Sequence, residues 1–279
     1  MKSVVAVLGL ALTLAPMSAH AQASSIPSGE APPPAGESSD QRGRKLLAMM
    51  VEDLGGDAWL NRKDIVESGR SSAFFHGAPN GNNVEFTLYH RFNPEAERYG
   101  FLTPRGMIMP GKKTDIVQVW TADNGYEVTF RGRTTLPKEQ VEDYLRRKAH
   151  SIENVIKVWL KAPDVMVVYE GRSMVERRQA DKVTVLAADN DAVTIDIDIN
   201  THLPLRRTFK WRNTTFKDYD EDAEEYDAYH TIQGLPTPFT VSRYRNNDLA
   251  NQRFITKVEY DTNLSPDLFD PDKLLTKKK

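Results

Sequence analysis

The chain contains no cysteine. That excludes disulfides, thiolate metal sites, a cysteine nucleophile and lipid attachment at a lipobox. Long apolar runs are also scarce. The run from Val4 to Ala15 is too short for the roughly 20 residues that span a bilayer, and no later segment is a better candidate, so the protein is read as not membrane-spanning. Net charge is small, at −2, and such a near-neutral balance argues against nucleic acid, which needs a basic face. His76, His90, His150, His202 and His230 all lie more than four residues apart, so the close-spaced ligand pair of a zinc site is missing. Neither Gly-x-Gly-x-x-Gly nor a phosphate loop occurs, and the serines around Gly69 (Ser68, Ser71 and Ser72) do not form Gly-x-Ser-x-Gly. No cofactor, metal site or catalytic residue is assigned. A secreted hydrolase stays open only because triads can converge from distant positions.

What is present begins with an address. Met1-Lys2, the Val4 to Ala15 run and Ala19-His20-Ala21 have the order of a secretory signal peptide cut after Ala21. Residues 22–39 are rich in Ala, Ser, Pro, Gly and Glu, include Pro32-Pro33-Pro34, and read as a flexible linker. The remaining 40–279 is long enough for one large β domain. Export without cysteine fits a bacterial periplasm better than a eukaryotic secretory route. The terminal Lys277-Lys278-Lys279 reads as a solvated tail.

Periodicity then sets the elements. Leu46, Leu47, Met50, Val51 and Leu54 recur at helical spacing, predicting a helix from Asp40, as N-cap, to Leu54, closed by Gly55-Gly56. Strand signals follow at Ile65 to Phe75, Val84 to Phe92, Arg98 to Leu102, Thr114 to Thr121 and Tyr126 to Phe130. From Pro137 to Leu160, Val141, Tyr144, Leu145, Ile152, Val155, Ile156, Trp159 and Leu160 share one side, predicting one helix of about 24 residues that plugs a concavity. Strands resume at Val165 to Tyr169, near Val175, and at Lys182 to Leu186. The most regular stretch runs from Val193 to Phe269. There Val193, Ile195, Ile197 and Ile199 alternate with polar residues, then Leu205, Arg207, Phe209 and Trp211, and later Phe239, Val241 and Arg243. About 11–12 strands, two helices and no βαβ alternation predict a mainly β (α+β), antiparallel architecture.

Two charged features stand out. Asp218 to Glu225 opens like a calcium loop, but Ala223 and Tyr229 occupy the positions that need Gly and a bidentate Glu, so it reads as a solvated hairpin loop. The doublets Arg177-Arg178 and Arg206-Arg207 fall in predicted strands, so one arginine of each points to each face. An inward arginine would either meet an anionic head group, or reach the rim or pair with Asp196 or Asp198.

The sequence Ile195-Asp196-Ile197-Asp198-Ile199-Asn200-Thr201-His202-Leu203-Pro204-Leu205-Arg206-Arg207, followed by Gly234-Leu235-Pro236-Thr237-Pro238-Phe239 and by Asn263 to Phe269, resembles the secreted bacterial relatives of the outer-membrane lipoprotein-sorting proteins, the LolA/LolB-like group. Leu54-Gly55-Gly56, leading into the strand that holds Gly69, resembles the opening of the same family. The resemblance implies a strongly curved antiparallel sheet, an incomplete β-barrel whose concave face is covered by helices and takes acyl chains or other apolar ligands. On that basis the first expectation is a periplasmic, non-enzymatic carrier or sensor of an acyl chain, lipid or other apolar ligand. Its lining would be Trp159, Ile195, Ile197, Phe209, Trp211, Phe239 and Val241, which equally form a filled core in a barrel packed solid. The second expectation is an envelope protein–protein interaction module whose sheet edge or helix face binds a partner.

Overall fold

The computed structural model describes residues 37–81, 83–104, 112–213 and 215–274. The expected signal peptide, its cut after Ala21, the linker up to residue 36 and the terminal lysines lie outside the described residues. Helix α1 (Ser39–Asp53) is capped two residues earlier than predicted, by Ser38 rather than Asp40. Ser38 accepts from the Gln41 backbone while the Gln41 side chain accepts from the Ser38 N–H, closing a capping box. After the left-handed Gly55 and Gly56 comes α2 (Gly56–Asn61).

Fourteen strands follow among the described residues. The first seven are β1 (Asp64–Phe75), β2 (Ala78–Pro79), β3 (Val84–Phe92), β4 (Glu95–Pro104), β5 (Lys112–Trp120), β6 (Gly125–Thr129) and β7 (Gly132–Thr135). After a helical insert come β8 (Met166–Val175), β9 (Arg178–Leu186), β10 (Ala192–Asp198), β11 (Pro204–Arg212), β12 (Tyr219–Ile232), β13 (Leu235–Arg245) and β14 (Asp248–Tyr260). Every pairing is antiparallel, in the order β7-β6-β5-β4-β3-β1-β14-β13-β12-β11-β10-β9-β8, with β2 beside β1. The ends β7 and β8 do not pair, so this is a curved, open sheet rather than a closed barrel. The predicted strands at Val165 to Tyr169 and near Val175 are one continuous β8, and Arg177 lies in the β8–β9 turn, leaving only Arg178 in a strand.

The insert is not one long helix. It divides into α3 (Lys138–Ala149), α4 (Ile152–Lys157) and a 3₁₀ turn (Trp159–Lys161). Ser151 adopts an extended conformation and its hydroxyl accepts from the Asn154 N–H, so it caps a new helix instead of continuing the old one.

Alternation sorts the side chains by face. The inner face, under the helices, holds a continuous core from α1 (Leu46, Leu47, Met50) through α4 (Ile152, Val155) to Val183, Val193, Ile195, Phe209 and Val241. Gly43 lets α1 lie close to this face, since a Cβ there would stand 2.6 Å from Val167 Cγ1. On the outer face Val117, Val119 and Val128 are covered by Phe269, which sits in the 3₁₀ turn Pro266–Phe269 ahead of α5 (Pro271–Leu274). This closing segment is tied down by Asp64, whose carboxylate accepts from the Thr262 and Leu264 backbone. Gly69 sits opposite a bulge in β14: a Cβ there would strike the Phe254 carbonyl and lie 2.9 Å from Ile255 Cα.

Candidate functional site

The inner face has an apolar half and a charged half. All seven predicted lining residues fall in the apolar core. Ile195, Ile197, Phe209 and Val241 are buried, whereas Trp159, Trp211 and Phe239 are only partly covered. His150, which sequence reading did not single out, is the joint between them. Its ring stacks on Phe209 at 4.1 Å and meets Trp159 edge-on at 5.5 Å. Both ring nitrogens face oxygens, Arg146 O at 2.6 Å and Asp191 Oδ2 at 2.8 Å, which leaves neither free to deprotonate a nucleophile.

The charged half is built by register. Arg207, Glu224 and Arg243 stand side by side across β11, β12 and β13, with Phe209, Asp222 and Arg245 in the adjacent row. The expected solvated loop is therefore the first half of β12. Asp220, Asp222 and Glu224 are in phase with Tyr226 and point inward, because each faces an arginine or aromatic on the neighbouring strand. Arg207 is the inward member of its doublet at 2% exposure, but its partners are Asp222 (3.3 Å) and Glu224 (3.4 Å), not Asp196 or Asp198. No head group is needed to neutralise it. Its Nε and Nη1 have no hydrogen-bond partner, and the guanidinium lies over Phe209 at 4.9 Å.

Arg243 Nε donates to Asp222 at 2.7 Å and Arg243 Nη2 to Asp143 of α3 at 3.1 Å. Arg245 bridges Asp143 and Asp220, and Arg253 of β14 reaches Glu67, Glu224 and the Tyr99 hydroxyl. At the other end of α3, Lys148 pairs with Glu97 and, at 2.9 Å, with Glu95, while His90 meets Glu95 at 2.8 Å. His90, Glu95 and Glu97 bring three metal-ligand atoms within 4.8 Å of one another, but the Lys148 ammonium already supplies the cation that such a group would bind.

The charge states follow from these contacts. Burial pushes Glu224 up, yet Arg207 and Arg253 outweigh it and hold the carboxyl at about 2. Burial likewise opposes Glu95, but the His90 hydrogen bond and Lys148 bring it to about 2. At Glu67 burial prevails over Arg253 and the carboxyl is raised, and burial pushes Tyr99 up to about 12. Solvent access is graded along the network. Asp222 is sealed, whereas the Arg253, Glu224 and Arg243 side chains keep 20–24% exposure.

The cover over this face is held by apolar packing and by charge. Val141 and Tyr144 of α3 pack with Trp120 and Leu136, and Ile152 and Val155 of α4 enter the main core, while Asp143 and Lys148 of α3 pair with sheet residues and Glu153 of α4 pairs with Arg62. One surface recess, at the β11–β12 loop, takes in Asp220 at the margin of the inner face, and another, beside α1, takes in Leu46 and Asp181. Among the described residues no helix is long and apolar enough to cross a membrane.

Comparison with known proteins places the fold. A DUF1329 family protein from Desulfovibrio piger aligns at a TM-score of 0.54 with 13% identity, over 85% of this chain and all of that one. A putative outer membrane lipoprotein-sorting protein domain from Vibrio parahaemolyticus gives a TM-score of 0.54 at 10% identity, over 85% of this chain and 99% of that one. No family model matches the sequence, and no curated protein does. The chain thus has a LolA/LolB-like fold: a curved antiparallel sheet, open at its ends, with helices on the inner face.

Proposed function

We propose that this protein is a non-enzymatic carrier or sensor of the bacterial envelope, exported by its N-terminal signal, that takes an acyl chain or another apolar ligand between the inner face and the α3–α4–3₁₀ cover. The observation that carries this reading is the cover itself. It is three short pieces rather than one rigid helix, joined to the sheet by partly exposed ion pairs, each contributing of order 1 kcal/mol, as well as by Val141, Tyr144, Ile152 and Val155, over aromatic residues that remain partly open. Such a cover can lift without dismantling the sheet. Trp159, Trp211 and Phe239 would then form the entrance, and Ile195, Ile197, Phe209 and Val241 the floor. The lipoprotein-sorting relative in the comparison adds an analogy of fold to this argument. Titration with a long-chain fatty acid or a palmitoylated peptide, followed by tryptophan fluorescence, tests it. Saturable blue-shifted emission, abolished in a folded Trp211→Arg variant, is expected. Flat emission with both ligands would refute it.

A second reading, an envelope interaction module, is favoured by β8. This ten-residue edge strand exposes Met166 and Val168 on one face and, beyond its bulge, Met174 on the other, although Ser39 occupies its backbone at Tyr169, donating to the carbonyl at 3.1 Å and accepting from the N–H at 2.8 Å. Loss of partner capture on Met174→Lys, with lipid binding intact, would favour that reading over the carrier.

A further inference from the structure

In an all-antiparallel sheet the rims are fixed by topology. Along the path from β6 to β11 the strands alternate in direction, so β6, β1 and β11 all end on the same rim. At those three ends the chain presents Phe130, Phe75 and Phe216, exposed by 70%, 67% and 78%, the three most exposed large apolar side chains among the described residues. Each is followed by a basic residue: Phe75-His76, Phe130-Arg131 and Phe216-Lys217. Neighbouring members are four strands apart, or about 19 Å measured across the strands at about 4.8 Å per strand, and are further staggered along them, since Val128 of β6 stands level with Ser68 of β1. Beside Phe216, Tyr219 is exposed as well, at 64%.

The chemistry of the tips selects the partner. A protein interface needs a contiguous desolvated centre, which single phenylalanines on separate turns four strands apart do not supply. A bilayer surface accepts isolated aromatic side chains at headgroup level and rewards adjacent cations. Arg131 lies 5.3 Å from the Phe130 ring, and Lys217 has no ion-pair partner among the described residues. His76 faces Asp248 at 3.6 Å and Asp218 follows Lys217, so apolar insertion dominates and charge is the smaller part.

We propose that this rim docks on an anionic lipid bilayer, with Phe75, Phe130 and Phe216 inserted at headgroup level and Arg131 and Lys217 facing the lipid phosphates. The inference concerns the outer rim and does not depend on a ligand under α3. Flotation of the chain from Gln22 with vesicles of phosphatidylethanolamine and phosphatidylglycerol, and with phosphatidylcholine vesicles, tests it. The wild-type protein should float with the anionic vesicles. F75S/F130S/F216S should weaken partition about a hundredfold, at about fivefold per side chain. R131A should weaken it about fivefold, on anionic vesicles and at low salt only. The three side chains are exposed, so the triple variant should keep the wild-type Tm; if it does not, each single Phe→Ser variant must show its own fivefold loss. Wild-type protein left at the bottom of the gradient, or a triple variant that floats as well as wild type, would overturn the proposal. Flotation abolished by Trp211→Arg instead would also overturn it, because lipid would then be held at the carrier site.

Discussion

Arg207→Met removes the most deeply buried cation of the inner face while keeping a flexible apolar chain against Phe209. Taking one partner from a buried ion pair costs about 3–5 kcal/mol, chiefly because the other charge stays buried. Here the low end applies. Asp222 keeps Arg243 at 2.7 Å, and Glu224 keeps the Tyr226 hydroxyl at 2.9 Å and Arg253 at 3.9 Å. A loss of about 3 kcal/mol should lower Tm by about 6–12 °C in a domain of this size, and shift the urea midpoint with little change in slope. Arg207→Met with Glu224→Gln should cost less than the sum of the single variants, because the second substitution removes one stranded charge. A Tm within about 2 °C of wild type would refute the reasoning. It would mean that the row Arg207, Glu224, Arg243 is watered through and its charges are not forced on one another.

The pH dependence of stability is a second test. Glu224 ordinarily titrates at 4.5 and is held at about 2 in the fold, so its stabilisation is complete above pH 4.5 and fades as pH falls toward 2. Glu224→Gln should therefore lack about 2–3 kcal/mol of the acid-induced loss seen in the wild type, measured by urea melts across that window. Glu67 acts oppositely, since its raised pKa gives stability at low pH that is lost as pH rises through the folded value. Gly69→Ala should cost more than Gly43→Ala in the same melts. The first meets the backbone of β14; the second crowds a Val167 methyl, with Val183 and the Tyr169 nitrogen at ordinary contact distance, and recovers up to about 1 kcal/mol of helix propensity. Lys148→Ala empties the centre of the His90, Glu95 and Glu97 group. Zinc should then raise the Tm of the variant by several degrees while leaving wild type unmoved, and equal responses would show that Lys148 is not the resident cation.

Much of the fold was legible because period-two alternation is a local signal. Ile195 and Ile197 in β10, Phe209 and Trp211 in β11, and Phe239 and Val241 in β13 lie on the inner face that their spacing implied. The helix of the insert was overestimated because its apolar stripe continues across Ser151, where a side-chain cap breaks the backbone without disturbing the pattern. The charged half was missed for a different reason. Asp220, Asp222 and Glu224 alternate in phase with Tyr226, but an acidic run reads as solvated until the arginines opposite it are known, and cross-strand register is not a local property. Arg207 and Arg243 carried the usable signal, since each shares its strand's parity with buried apolar residues. His150 and Lys148 gave none. Their partners Asp191, Glu95 and Glu97 are 41 or more residues away in the chain.

The carrier reading is tested most directly by native mass spectrometry of the chain purified from a bacterial envelope, with organic extraction of whatever accompanies it. The account predicts one bound lipid or acyl species per chain, lost in Trp211→Arg without unfolding. A clean apo mass that does not shift with added fatty acid or lipopeptide would contradict it, and would leave Trp159, Ile195, Ile197, Phe209, Trp211, Phe239 and Val241 as a packed core.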